Sequence, residues 1–395
     1  MGKTPEMGMG GLAILVVLFM GAAMPQLSSG FEKGTIRQLV TKYNVTSVLV
    51  FGDSSVDPGN NNRLPTPMKG NFPPYGKDFF QARPTGRFSN GRLATDFIAE
   101  ALGFTKTIPA FLDPNLKPKD LLHGVSFASA ASGYDELTAN FSNVLSIPRQ
   151  LQYLKHYKLH LSRVVGVKNA EWAVKNAVFV LSMGTNDFLQ NYYLEPERAK
   201  QFTVQQYQDF LSTQMLHSIK EMHRLGARRL VVVGVPPLGC MPLVKTLRGG
   251  EEQNKCVEAI NQVASSFNSK IKANLALLHR TLGIKDAYVD CYAVLQNALS
   301  TPQTYGLLLR SIPHLIAQLS QLTDFLSPFR FAGLAETAKG CCGTGTIEYG
   351  DTCKGLSTCE DASKYAFWDA VHPTQKMYQI IADEAIKSLS EALIR

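Results

Sequence analysis

Ser54 ends the stretch Val48–Ser54, VLVFGDS, in which an apolar strand pattern runs into Gly-Asp-Ser. A hydroxyl on such a turn can sit at a sheet edge, but it is a poor nucleophile until a base takes its proton. Eight histidines are available as that base. His123, His156, His160, His217, His223, His279 and His314 mostly lie on helical patterns among polar neighbours, the setting of solvated surface imidazoles. His372 differs: in FWDAVHPT it has Asp369 three residues before it and Pro373 immediately after. A residue before proline is usually extended, and proline commonly opens a helix, so His372 belongs in a loop or at a helix start. Asp369 can accept the ring Nδ1–H and leave Nε2 to take the serine proton. Taken alone, the stretch more readily describes a capping aspartate beside a structural histidine, because local Asp–His pairs are common.

Two further segments can stabilise negative charge. In SMGTNDF, Asn186 follows a strand pattern and its amide can donate to a developing oxyanion, although an Asx-turn is the commoner use of Asn in a loop. GVSFASAASGYD, from Gly124 to Asp135, is rich in small residues that let a backbone N–H approach a substrate, or that serve tight helix–strand packing. GxSxG, GxxxxGK[ST] and HExxH are absent. Asp53 and Asp57 lack the paired spacing of a metal site, so no metal is expected.

The elements that must position these groups are legible as alternating patterns. Val48–Phe51, Ala177–Ser182 and Leu230–Val235 are short apolar, β-branched runs, Ala287–Val289 begins a weaker one, and Gly124–Ala128 is a candidate short strand. Helical periodicity covers Leu93–Leu102, Ile147–Tyr157, Val204–Leu225 and Val257–Leu282. Strands buried on both faces, alternating with helices, predict one α/β domain with a central parallel sheet flanked by helices. Ligands of such sheets bind beyond the strand C-termini. That places the loops Gly52–Asn62, Gly184–Asp187 and Pro236–Pro242 at one edge, the third reading mainly as a rigid turn.

The 395 residues carry 40 Lys and Arg against 32 Asp and Glu, a net +8, with no dense basic run and no nucleic-acid motif. A diffuse basic surface suits an acidic polysaccharide or an anionic membrane face rather than nucleic acid. GLAILVVLFMGAA near the N-terminus is shorter than a spanning helix needs and is followed by small and polar residues. It reads as a secretory signal peptide over residues 1–29, cleaved between Ala23 and Gly30, with an uncleaved anchor as the alternative. No membrane span is expected after cleavage. Sequons at Asn44 and Asn140 fit secretion. Seven cysteines, four of them between Cys341 and Cys359, suit three disulfides with pairing left open, and Cys291, in an apolar strand pattern, is the expected buried free thiol.

Taken in order, GDSS, GVSFASAASG, GTND and DAVH resemble the four blocks of the SGNH hydrolases. With FGDSSVDPGNNN, FPPYGKDF, PTGRFSNGR, PPLGC, GCCGTG and FWDAVHPT, the chain is most similar to the plant GDSL esterase/lipase family, from about Ser47 almost to the C-terminus. The resemblance implies a three-layer, flavodoxin-like SGNH hydrolase domain over 47–395, with 30–46 as a lead-in. It implies a secreted serine esterase of the apoplast or cell wall that needs no cofactor and acts on small-molecule or lipid esters. Ser54 would be the nucleophile and His372 and Asp369 its base and acid. The N–H groups of Ser54 and Ala131 and the amide of Asn186 would hold the oxyanion. Acyl transfer by the same residues, or a non-catalytic cell-wall or storage protein, are the alternatives. Ser55 replaces the leucine of GDSL without touching the chemistry. Ala131 stands where the family places a glycine; its N–H survives, but a positive φ there would strain the loop. Leu307–Gly333 is an apolar insertion unlike the family, either a lid or a retained intron.

Overall fold

The computed structural model describes residues 34–250, 255–302 and 334–394. The expected signal peptide and the insertion 307–333 lie outside them.

Four parallel strands form the central sheet in the order β1 (Val48–Gly52), β2 (Val178–Ser182), β3 (Arg229–Val233) and β4 (Lys285–Val289). β1 and β2 are buried along their whole length, as unbroken apolar runs require. Residues 124–128 extend along the outer side of β1. The N–H groups of Val48, Val50 and Phe127 donate to the carbonyls of His123, Val125 and Val50, with a parallel bridge between Val50 and Ser126. Counting that strip, the order is the doubly wound 2-1-3-4-5 pattern, whose direction of winding reverses between β1 and β2.

Helices cover both faces. α1 (Ala94–Ala101) packs with the C-terminal helix α9 (Gln375–Ile394), which also lies on β4 and on α8 (Cys291–Ser300). On the other face, after the short α2 (Glu136–Phe141), α3 (Ile147–Val165) lies on β1 and touches α4 (Val167–Asn176) and α5 (Val204–Leu225). After α6 (Pro242–Arg248), α7 (Glu258–Leu282) packs on α5 and β4. The start of α5 follows from its sequence: Thr203 accepts from the Gln206 N–H while the Gln206 side chain accepts from Thr203 N–H, a capping box. Each fully buried Val or Leu of β1 and β2 contributes about 1.5–3 kcal/mol relative to exposure.

A second, smaller core stands beside the sheet edge. β5 (Glu336–Gly340) and β6 (Tyr365–Phe367) pair in parallel, and between them run the disulfides Cys341–Cys359 and Cys342–Cys353. Tyr75, Phe88, Ala130 and Trp368 pack with these cystines. The third disulfide joins Cys240 to Cys256, and Cys291 is free and buried. Cys291 opens helix α8 rather than lying in a strand, because β4 ends at Val289 and Asp290 caps the helix through the Ala293 N–H.

Candidate active site

The register aligns Gly52 with Ser182 and Ser182 with Val233, so the first three strands end at one edge. The chain turns there at Gly52, with φ 150°; a Cβ would stand 2.1 Å from the Ser182 carbonyl oxygen, so only glycine lets β1 leave the sheet this close to β2. Asp53 N–H donates to that carbonyl at 3.1 Å. The Asp53 carboxylate accepts from the N–H and hydroxyl of Ser55 at 2.9 and 2.8 Å, which closes the turn and leaves Ser54 half-buried at its apex. Burial pushes Asp53 above its ordinary range, partly offset by Ser55 and by the charge of His372.

His372 meets Ser54 across 318 residues, with Nε2 2.9 Å from the hydroxyl oxygen. Its Nδ1 lies 2.9 and 2.8 Å from the two oxygens of Asp369. Asp369 is fully buried and His372 nearly so. The carboxylate also accepts from the backbone N–H groups of Val371 and His372 at 2.8 and 2.7 Å, so the local capping role and the bond to the imidazole coexist. A further donor reaches Asp369: the Tyr75 hydroxyl, at 2.7 Å, which itself accepts from Gly350 N–H at 2.7 Å. Burial, then the neighbouring Asp369 carboxylate, push the Tyr75 phenol well above its ordinary range, so it stays a donor. The Phe88 ring lies against the imidazole, centroids 4.8 Å apart.

The 126–135 loop is bound to the turn below Ser54. Ser129 N–H and the Ser132 hydroxyl donate to Gly52 O, and Gln150 of α3 brackets Gly52 by accepting from its N–H and donating to its carbonyl. Asp57 accepts from the N–H groups of Gly59, Asn60 and Ala130, while Asn60 and Asn61 donate to the carbonyls of Ser126, Ala128 and Ala130. These bonds hold Ala131 at φ 67°, the left-handed conformation that disfavours a side chain, so the loop is strained there. Neither Ala131 N–H nor Ser54 N–H has a hydrogen-bond partner among the described residues. Asn186 follows β2 and donates from Nδ2 to Ser132 O at 3.0 Å. Next to it, Asp187 accepts from Tyr134 N–H, Asp135 N–H and the Thr138 hydroxyl; a Cβ on Gly133 would fall 2.1 Å from this carboxylate.

Beside Ser54 and His372 a largely apolar cavity of about 80 Å³ runs between the strand ends and α1, α8 and α9. Val180, Val233, Ile98, Leu295 and Ile381 form much of its wall, and Pro236 and Met241 bring the third loop to its rim. Asn44 and Asn140 are exposed. Asp53 and Asp57 serve backbone donors, and no group of three metal-ligating side chains occurs among the described residues. Tyr75, Phe88 and Gln150 carried no chemical signal of their own in the sequence. Tyr75 and Phe88 do fall in FPPYGKDF and PTGRFSNGR, the phrases that marked the resemblance.

The model of a family described as GDSL-like Lipase/Acylhydrolase matches residues 48–385. Over 385 residues, 97% of this chain and 99% of the relative, the chain is 52% identical to GDSL esterase/lipase At5g45950 of Arabidopsis thaliana. It is also 40% identical over 343 residues to GDSL esterase/lipase At5g45960 (85% and 84% covered) and 39% identical over 356 residues to GDSL esterase/lipase APG (89% and 93%), both of Arabidopsis thaliana.

Proposed function

The chain belongs to the GDSL-like lipase/acylhydrolase family, and from that premise we propose that it is a secreted carboxylic ester hydrolase working through an acyl-enzyme on Ser54. The observation that carries the reading is the 2.9 Å approach of His372 Nε2 to the Ser54 hydroxyl, with Nδ1 held by Asp369. His372 takes the serine proton as the oxygen attacks the ester carbonyl. The free N–H groups of Ser54 and Ala131 and the second amide hydrogen of Asn186 are the donors available to the oxyanion. His372 then protonates the departing alcohol, and water, deprotonated by the same imidazole, releases the acid. Asp369 holds the tautomer and stabilises the imidazolium. Three disulfides and the exposed sequon asparagines, Asn44 and Asn140, favour an oxidising, extracellular setting. The basic balance of the chain leaves acidic cell-wall polysaccharide as a surface partner.

Replacing Ser54 by Ala tests the reading. Turnover of p-nitrophenyl butyrate should fall by at least about 10⁴-fold with the circular dichroism spectrum unchanged. Turnover within tenfold of the parent would remove Ser54 from the reaction.

A further inference from the structure

The positive charge of the chain is gathered at one end of the sheet. The segments that lead into the four strands, 42–47, 158–177, 221–229 and 279–286, hold ten Lys and Arg against three Asp and Glu, a net +7 of the chain's +8. They run into the strand N-termini, the pole opposite Ser54. Of the three carboxylates, Glu221 pairs with Arg224 and Lys155, Asp286 lies 3.4 Å from His279, and Glu171 has no ion pair among the described residues.

The cations at the centre of this pole form a row. Arg229 and Lys285 open β3 and β4 and are paired in register, so they stand about one strand spacing, about 4.8 Å, apart with side chains on the same face. Arg229 donates to Tyr43 O at 2.7 Å and to Asn176 Oδ1 at 3.3 Å. The ammonium groups of Lys42 and Lys285 lie over the Tyr43 ring, 5.2 and 5.4 Å from its centroid. Lys175 precedes Asn176. One turn earlier on α4 stands Trp172, 52% exposed, whose carbonyl accepts from Asn176 Nδ2 at 2.9 Å. None of Lys42, Lys168, Lys175, Arg229 and Lys285 pairs with a carboxylate among the described residues. Like charges held together without counter-charges repel, and such a row is complementary to a polyanion.

Starting from the extracellular setting and acidic partner proposed above, we propose that this pole is the binding surface for a polyuronate, a polysaccharide with a carboxylate on each sugar. Carboxylates spaced along a polymer meet cations spaced along the strand starts, and the exposed Trp172 ring offers a sugar an apolar face. Leu159, Val164 and Val167 are also exposed, but each adjoins a cation in sequence. Apolar side chains scattered between cations do not make the continuous face that enters a bilayer. Because the pole lies opposite the strand ends that carry Ser54, protein held there keeps its catalytic rim open.

The probe is polygalacturonate, and the quantity read is its Kd at about 0.1 M salt, where charges are screened over about 10 Å. Lys42→Gln, Lys168→Gln, Lys175→Gln and Lys285→Gln combined should raise Kd at least about tenfold. The same change at Lys200, Lys339, Lys354 and Lys364, all exposed and outside the four segments, should leave it within about threefold. Lys168 and Lys175 are exposed on one helix. Lys168→Gln with Lys175→Gln should therefore leave the urea midpoint unchanged and still weaken binding about threefold. Replacing the four pole lysines by Arg keeps the charge and should keep the binding. Asn44 of the first sequon adjoins Tyr43, so parent and variants come from one expression host. A parent that does not bind would overturn the proposal. So would equal losses in the two fourfold variants, the mark of a diffuse basic surface. Binding to phosphatidylserine vesicles with none to polygalacturonate would overturn it in favour of a membrane. Turnover of p-nitrophenyl butyrate is read on the same samples: its absence from a parent that binds would strike the esterase reading and leave this one standing.

Discussion

The bond from Tyr75 to Asp369 gives a prediction whose size can be worked from geometry. Tyr75→Phe removes one oxygen that is 1% exposed as part of its residue and makes two hydrogen bonds, one to the Asp369 carboxylate and one from Gly350 N–H, both 2.7 Å. A hydrogen bond to a charged group contributes about 1.5–3 kcal/mol, and an orphaned buried N–H costs about 1–3 kcal/mol. The phenyl ring still fills its place against Phe88 and Trp368, so little cavity term is added. Since one atom makes both bonds, the losses are not independent, and a destabilisation of about 2–4 kcal/mol is expected.

The same change has a chemical consequence. Asp369 would keep three donors, the N–H groups of Val371 and His372 and the ring Nδ1. With one bond fewer, the carboxylate is held less firmly and so orients the imidazole less well. On a p-nitrophenyl ester kcat/KM should therefore fall about tenfold, which corresponds to about 1.4 kcal/mol. Urea unfolding and kcat/KM read the two effects separately. If stability falls while kcat/KM stays within twofold of the parent, Tyr75 is only a packing residue and the argument for its influence on His372 fails.

Ala131→Gly should stabilise the protein. An L-residue in the left-handed region costs about 1–2 kcal/mol, and the added freedom of glycine in the unfolded chain returns about 0.4–1 kcal/mol, so the net gain is about 0–1.5 kcal/mol by urea midpoint. A loss above 1 kcal/mol would show that the alanine methyl packs usefully. Burial lifts Asp57 to about 6 and Asp187 to about 7. Both exceed the unfolded value near 3.8, so the folded chain binds the extra protons and these groups make stability fall, by about 3 kcal/mol for Asp57 and about 4 kcal/mol for Asp187, as pH rises from about 4 through about 7. Urea unfolding at pH 5 and pH 7.5 checks the sign, and greater stability at pH 7.5 would refute it.

How far the sequence reaches depends on the range of the interactions involved. Val204–Leu225 is delimited in the structure as its periodicity predicts, because the Thr203–Gln206 cap and Gly226 are local stop signals. The strands are legible for a similar reason: burial on both faces leaves an unbroken apolar run. Helix Ile147–Val165 runs eight residues beyond the expected Tyr157, since it continues to Gly166, which is the real break. Tyr75 meets Asp369 across 294 residues and Gln150 meets Gly52 across 98, and neither separation leaves a local pattern to read. The φ of Ala131 is equally silent, because bonds from Asp57, Asn60 and Asn61 impose it on a residue that would not choose it.

The two ends of the proposed proton path belong to different bodies. Ser54, Asn186 and the Ala131 loop hang on the ends of β1 and β2, at the point where the winding of the sheet reverses. Asp369 and His372 hang instead on β6 and the cystine-linked segment, whose second core is built from Tyr75, Phe88 and Trp368. Sheet packing alone does not set the 2.9 Å separation of Ser54 and His372. It depends on contacts that tie the bodies together: Ala130, packed in the smaller core while its N–H donates to Asp57, Leu243 N–H donating to the Ala370 carbonyl, and Gln375 Oε1 accepting from Arg92 N–H. Errors of a fraction of an ångström between two bodies matter to a proton transfer far more than to folding, since reactive alignment is steep in distance. The disulfides Cys341–Cys359 and Cys342–Cys353 close loops within the smaller body and not across the seam. Their contribution is therefore to keep that body rigid, while the contacts at the seam decide where its histidine stands relative to Ser54.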